Sequence, residues 1–253
     1  MKVRAENSPL DCFLLVLNLR RYIMYCVITG ASRGIGRELA ILFAKSKYDL
    51  LLTCKTNIDI LNDLKSQLEK EYNTKVKIKK GHLDENDFND IDDLAIVINN
   101  ASIADYNLLQ DVNIDRYNEI IDSNLTDTFL TCKYSIPLFL KNKNGLIVNI
   151  SSIWGEEGAS TEVLYSMTKG GIISFTKALS KELSLSNIDC ICFKLGFVDT
   201  DMNKYLSEEE KQEFIKDMKD RSLIDKRVVA EKMVSAIMNK KYTTGEIIDI
   251  ENV

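Results

Sequence analysis

The sequence predicts a single α/β domain built on a doubly wound parallel sheet, with helices on both faces. Short apolar runs alternate with amphipathic stretches from Tyr25 to Ile250, the pattern of strands joined by crossover helices. The first of these runs passes through a glycine-rich turn into a helix. The 253 residues, 45% of them hydrophobic, suffice for one sizeable core, and no repeat or Pro/Gly/Ser-rich linker calls for a second.

Tyr25-Cys26-Val27-Ile28 reads as the first buried strand. Gly30, Gly34 and Gly36 follow with the spacing G-x-x-x-G-x-G, and Arg37 to Ala44 reads as a helix. Glycines let the backbone turn sharply and approach a ligand, while a helix start offers unpaired N–H groups and a positive dipole end to a pyrophosphate. Taken alone, the same spacing also suits a plain strand-to-helix turn. Asp49 to Cys54 gives a second strand, Ile58 to Tyr72 an amphipathic helix and Val76 to Lys80 a third strand. Gly81-His82-Leu83-Asp84 then leads through an acidic connection, with room for about two turns of helix at most. Beyond it come a strand at Leu94 to Ile98 and Asn99-Asn100-Ala101-Ser102.

Helix-rich sequence from Val112 to Lys141 contains Asn124. Leu146-Ile147-Val148 marks a strand leading to Asn149-Ile150-Ser151-Ser152, and Leu164 to Leu183 is a long helix. Ile188 to Lys194 gives a sixth strand with the loop Gly196 to Thr200 at its end. Ser207 to Arg227 is a charged segment suited to a mobile lid; Val228 to Asn239 reads as a helix and Glu246 to Ile250 as the last strand.

Residues 1–22 stand apart. Their apolar stretch, Cys12 to Leu19, is too short to cross a membrane, ends in Arg20-Arg21 and shows no small-residue cleavage site. It is either a weak membrane or partner anchor, or an over-extended start with the native chain beginning at Met24. The second reading is favoured because Met24 immediately precedes the first core strand. The extension would then pack poorly beside a domain spanning 23–253.

A net charge of -5, with both signs interleaved, argues against nucleic acid as the main partner. The six cysteines, Cys12, Cys26, Cys54, Cys132, Cys190 and Cys192, form no C-x-x-C pair and point to a reducing, cytoplasmic compartment. His82 is the only histidine and has no companion at ligand spacing, so no metal site is expected.

Tyr165 and Lys169 lie four residues apart, on one helical face and one turn from each other. An adjacent ammonium favours the ionised phenol, lowering its pKa from about 10 and making Tyr165 a usable general acid or base. Ser152 would stand at a strand's carboxyl end, where open parallel sheets bind ligands. The pair alone also suits a solvated helix; the dinucleotide-type turn upstream is what favours a carbonyl-reducing centre. The end of the second strand, Thr53-Cys54-Lys55-Thr56-Asn57, lacks an acid for a ribose 2′-hydroxyl. Lys55 and Arg33 could instead hold a 2′-phosphate, which favours NADPH; the alternative is that both are surface cations. In the long helix, Tyr165, Lys169, Ile172, Thr176, Leu179 and Leu183 follow one side, and Met167, Gly171, Ser174 and Ala178 a second, small-residue stripe. Two such faces favour a homo-oligomer over purely internal packing.

With these residues in hand, the chain from Met24 to Ile250 resembles the short-chain dehydrogenase/reductase family. Thr29-Gly30-x-x-x-Gly34-x-Gly36, Asn99-Asn100-Ala101, Asn124, Ser152 and Tyr165-x-x-x-Lys169 stand in the family's order and approximate spacing. The resemblance implies a Rossmann-type sheet of about seven strands in the order 3-2-1-4-5-6-7. It implies that Tyr165 protonates a carbonyl oxygen, Ser152 orients it, Lys169 binds the nicotinamide ribose and Asn124 supports a water-linked proton path. Asp84 would sit by the adenine and Thr200 by the nicotinamide end. Gly30, Ser32, Arg33, Gly34, Ile35, Gly36, Lys55, Asn99, Ala101 and Val198 complete the implied NADPH/NADP+ site.

Within the family the chain looks like the 3-oxoacyl-acyl-carrier-protein reductase branch, and its Ser151 to Met167 segment is closer still to elongation factor P 5-aminopentanone reductases. Three features depart from the pattern: Ser102 in place of Gly, Leu195 in place of Pro, and a short 84–99 segment. The expected activity is reduction of a ketone, either a 3-oxoacyl thioester or a 5-aminopentanone-modified lysine on elongation factor P. A cofactor-sensing binding protein of the same fold is the alternative class, disfavoured because it has no need of Asn124, Ser152, Tyr165 and Lys169 together. No membrane partner is expected.

Overall fold

The computed structural model describes residues 24–203 and 224–252. The expected extension at 1–22 and most of the expected lid lie outside the described residues. The sheet strands are β1 (Tyr25–Ile28), β2 (Asp49–Cys54), β3 (Val76–Lys80), β4 (Leu94–Asn99), β5 (Gly145–Ser152), β6 (Ile188–Leu195) and β7 (Ile247–Asp249). They form one seven-stranded sheet in the order β3-β2-β1-β4-β5-β6-β7. Every pairing is parallel, as crossover connections require. A separate two-residue ribbon pairs Val198 with Ile224 and Asp199 with Asp225.

The covering helices are α1 (Gly34–Lys45), α2 (Ile58–Tyr72), α3 (Ile114–Ile121), α4 (Asp127–Asn142), α5 (Val163–Glu182) and α6 (Lys226–Met238). Strand residues alternate between two cores because successive side chains point to opposite faces. Cys26, Ile28, Leu50 and Leu52 meet Leu39, Phe43, Leu61 and Met233 from the α1, α2 and α6 layer. Val27, Leu51, Val97 and Ile147 meet Cys132, Phe139, Leu179 and Leu183 from the α4 and α5 layer. Each fully buried side chain of this size contributes about 1.5–3 kcal/mol. The five described cysteines are buried and free.

The strand order reverses at β1, with β2 on one side of it and β4 on the other, so the crevice above the ends of β1 and β4 is the place where such folds bind ligands. Between β3 and β4 the chain makes only a single 3-10 turn, Glu85–Phe88, in keeping with the short acidic connection. The helix-rich stretch from Val112 to Lys141 holds α3 and α4, joined by a π-turn over Asp122–Thr126 that carries Asn124. Among the described residues no helix is long and apolar enough to cross a membrane.

Candidate active site

The glycine turn after β1 is built by close backbone contact. Gly30 and Gly34 have φ of 67° and 58°, where a side chain is disfavoured. Thr29 Oγ1 accepts hydrogen bonds from the backbone N–H of Asn100 (3.1 Å) and Ala101 (2.9 Å). Asn100 Nδ2 donates to the Thr29 and Gly30 carbonyls at 2.8 and 3.2 Å. A Cβ on Gly36 would lie 2.5 Å from both Asn100 Nδ2 and the Gly30 oxygen. This clamp ties the β1 turn to the end of β4 and presents the start of α1 to a cavity of about 390 Å³.

The cavity is lined by Gly30, Ser32, Arg33, Gly34, Ile35, Lys55 and Ala101 on one side and by Ser152, Tyr165, Lys169, Val198 and Thr200 on the other. The fold thus brings together twelve of the residues singled out in the sequence. Lys55 Nζ lies 3.5 Å from Asp122 and also donates to the Glu119 carbonyl at 3.5 Å.

Four others are placed differently. Gly36 packs beneath the turn rather than lining the cavity. Asn99 faces the interior, as alternation along β4 dictates, and its Nδ2 donates to Asn149 Oδ1 at 2.8 Å. Asp84 lies outside the lining: it caps the 3-10 turn through the Asn86 N–H and pairs with Lys79 at 2.9 Å. Asn124 is 1% exposed, and its amide holds the Ile103 backbone at both ends, accepting at 2.8 Å and donating at 2.9 Å. The same amide donates to Thr168 Oγ1 at 3.0 Å, bridging the π-turn to α5.

Ser152 is the last residue of β5 and is buried; Tyr165 and Lys169 project from α5 and are buried too. Ser152 Oγ accepts from the Trp154 N–H at 3.3 Å. Lys169 Nζ donates to the Ile150 carbonyl at 2.9 Å and lies 5.5 Å from the Tyr165 ring centroid. Burial pushes the Tyr165 phenol well above its ordinary range, and the Glu162 and Tyr106 charges add to this. A hydrogen bond with Ser152 opposes the shift. Burial lowers the Lys169 ammonium to about 8. The expected lowering of Tyr165 by Lys169 is not seen here: burial of the phenol is the largest influence on it, and Lys169 is not among the groups that shift it.

The sequence reading quoted Thr29 and Asn100 in its motifs but gave no role to them, the clamp, or to Glu162, Tyr106 and Trp154, which line the same cavity as Tyr165. A signal for Glu162 was present: positions 162, 165 and 169 fall on one helical face. Asn100 was recoverable from strand alternation, which turns it away from its neighbour Asn99.

Residues 25–211 match the family model described as short chain dehydrogenase. The chain belongs to the short-chain dehydrogenase family. It is 32% identical over 231 residues to the uncharacterized oxidoreductase YmfI of Bacillus subtilis, an alignment covering 88% of this chain and 96% of that protein. It is 31% identical over 235 residues to the 3-oxoacyl-[acyl-carrier-protein] reductase FabG of Chlamydia muridarum, covering 89% and 94%. In fold it resembles YwfH, an NADPH dependent reductase involved in bacilysin biosynthesis, with a TM-score of 0.79 at 20% identity, covering 89% of this chain and 96% of the other. The protein is accordingly an NAD(P)-dependent oxidoreductase of a FabG-like branch.

The residues present fit a nicotinamide dinucleotide. The α1 N-cap, Arg33, makes no side-chain cap hydrogen bond, so the first N–H groups of α1 have no side-chain acceptor from that residue and suit a phosphate. Ser102 Oγ is buried without a hydrogen-bond partner and lines the same cavity, where a ligand's polar group would satisfy it.

Proposed function

We propose that this protein reduces a ketone to a secondary alcohol with NADPH. The observation that carries the reading is the placement of Ser152, Tyr165 and Lys169 on one cavity with the α1 start and the cations Arg33 and Lys55. Gly30, Ser32, Gly34, Ile35, Ala101, Val198 and Thr200 would hold the dinucleotide, with Arg33 and Lys55 at its 2′-phosphate. When bound, the nicotinamide cofactor supplies the hydride.

Tyr165 Oη gives its proton to the carbonyl oxygen. The phenol is protonated near neutrality, the form a donor needs in the reductive direction, although its burial makes it a weaker acid until charge develops on the substrate oxygen. Ser152 Oγ donates to the same oxygen and stabilises its developing charge. Lys169, held by the Ile150 carbonyl, would hold the nicotinamide ribose when the cofactor is bound and would stabilise the phenolate left after transfer. Its pKa of about 8 lets it return a proton near neutral pH. Asn124 works by position: its amide fixes the Ile103 backbone and Thr168 relative to α5.

The substrate read from the FabG-like relatives is a 3-oxoacyl thioester on a carrier protein, in a cytoplasmic, fatty-acid-forming setting. The second reading, a 5-aminopentanone group on elongation factor P, is supported by the Ser151 to Met167 segment and by the buried carboxylate of Glu162 within it. The test is NADPH consumption on an acetoacetyl thioester and on 5-aminopentanone-modified elongation factor P. Turnover of either should fall by about 10²–10⁴-fold in Tyr165→Phe, with NADPH binding retained. No consumption with either ketone, or full activity in the variant, would overturn the reading.

A further inference from the structure

Glu162 is 4% exposed, yet it lines the cavity one helical turn from Tyr165. Carboxylates are seldom buried unless paired. Burial alone acts on this one, pushing it up to about 7, and no cation or hydrogen-bond donor among the described residues offsets that. It occupies the N-cap position of α5 but makes no side-chain cap bond.

The neighbouring acids are different. Asp105 is held by Arg116 at 2.9 Å and Glu119 by the same arginine at 2.7 Å. Lys169 lies seven residues further along α5, about 10 Å up the axis, with its ammonium on the Ile150 carbonyl. Lys55 lies at the end of β2, three strand spacings or about 14 Å across the sheet from β5. Arg33, Lys55 and Lys169 line the cavity, and Glu162 is an acid on it that makes no ion pair among the described residues. Tyr106, Trp154 and Tyr165 line the same cavity, Tyr165 one helical turn from that acid. Aromatic faces with a carboxylate are the surroundings that bind an organic ammonium.

We propose that Glu162 forms a cation-binding subsite that receives the amine of an aminoketone, an inference that rests on the second substrate reading above and favours it over the neutral 3-oxoacyl chain. The assignment rests on the reductase reading for the word ketone, but the subsite itself is a statement about binding. It provides the buried carboxylate with a partner and selects against neutral acyl chains, whose burial would leave it unpaired.

The experiment compares the (4-oxopentyl)trimethylammonium ion with 6,6-dimethylheptan-2-one, its neutral isostere, at pH 8 with saturating NADP+. The two differ by one charge, and neither can close to a cyclic imine as a primary aminoketone does. Binding is read from the fluorescence of Trp154, the only tryptophan and a cavity residue, and NADPH-dependent turnover is measured separately. The wild-type protein should bind the cation about tenfold or more tightly than the isostere, and Glu162→Gln should bring that ratio close to one. A wild-type ratio near one, or a preference that survives in Glu162→Gln, would overturn the subsite. Because the fluorescence arm needs no turnover, the subsite stands or falls on the binding ratio alone, and the reductase reading on the Tyr165→Phe test above.

Discussion

At the scale of single residues, burial sets the chemistry of the two central groups in opposite directions: it holds the Tyr165 proton on and loosens the Lys169 proton. His82 shows the reverse case, where partners win over burial. Its Nδ1 lies 2.8 Å from Asp127 and its Nε2 2.9 Å from Asp122, and these bonds, Asp127 first, raise it from 6.5 to about 9. The folded state therefore binds the His82 proton more tightly than the unfolded chain does. That stabilisation is complete below pH 6.5 and is lost as the pH rises to about 9. After solvent screening we expect about 1–2 kcal/mol, seen as a fall in wild-type stability over that window which His82→Asn flattens in urea titrations. Lys55 offers a second test at this scale. Lys55→Ala should raise KM for NADPH about tenfold and that for NADH much less; equal effects on both would remove the 2′-phosphate role.

At the scale of elements, the glycine turn and the π-turn are the two irregularities that shape the site. A β-carbon at Gly36 would collide with the Asn100 amide and the Gly30 carbonyl, both of which hold the turn against β4. Gly36→Ala should cost about 1–3 kcal/mol of stability and at least tenfold in NADPH affinity, measured by denaturation and by fluorescence titration. The π-turn at Asp122–Thr126 adds one residue to the helical register and carries Asn124 to the Ile103 backbone. No periodicity in the sequence marks it, because α3 and α4 each continue their own pattern on either side. The boundaries of α2 were legible to the residue, since the helix ends at Asn73 in the left-handed region.

At the scale of the whole molecule, one face of α5 is internal and the other is not. Tyr165, Lys169, Ile172, Thr176, Leu179 and Leu183 are buried in the protomer, whereas Met167 is 49% exposed and Ser174 and Ala178 are exposed too. Phe129 on α4 is 52% exposed. We expect these surfaces to meet in a homo-oligomer, so that Met167→Asp with Phe129→Asp lowers the sedimentation coefficient to that of one protomer. Unchanged sedimentation would place the contact elsewhere.

The strand-turn-helix order and the two-sided core were legible in the sequence alone, and so was the choice of Ser152, Tyr165 and Lys169 as candidates, which the fold sets on one cavity. Each of these is written in local periodicity, glycine placement or a four-residue spacing, which depend only on neighbours in the chain. Only the tertiary structure decided that Asp84 is a helix cap paired to Lys79, that Asn99 faces the core, and that Asn124 bridges Ile103 to Thr168. Burial also pushes the Tyr165 phenol and the Glu162 carboxyl up and the Lys169 ammonium down. Burial depends on what distant segments lay over a residue, so the phenol of Tyr165 and the carboxylate of Glu162 acquire their properties from neighbours that the chain brings together only on folding.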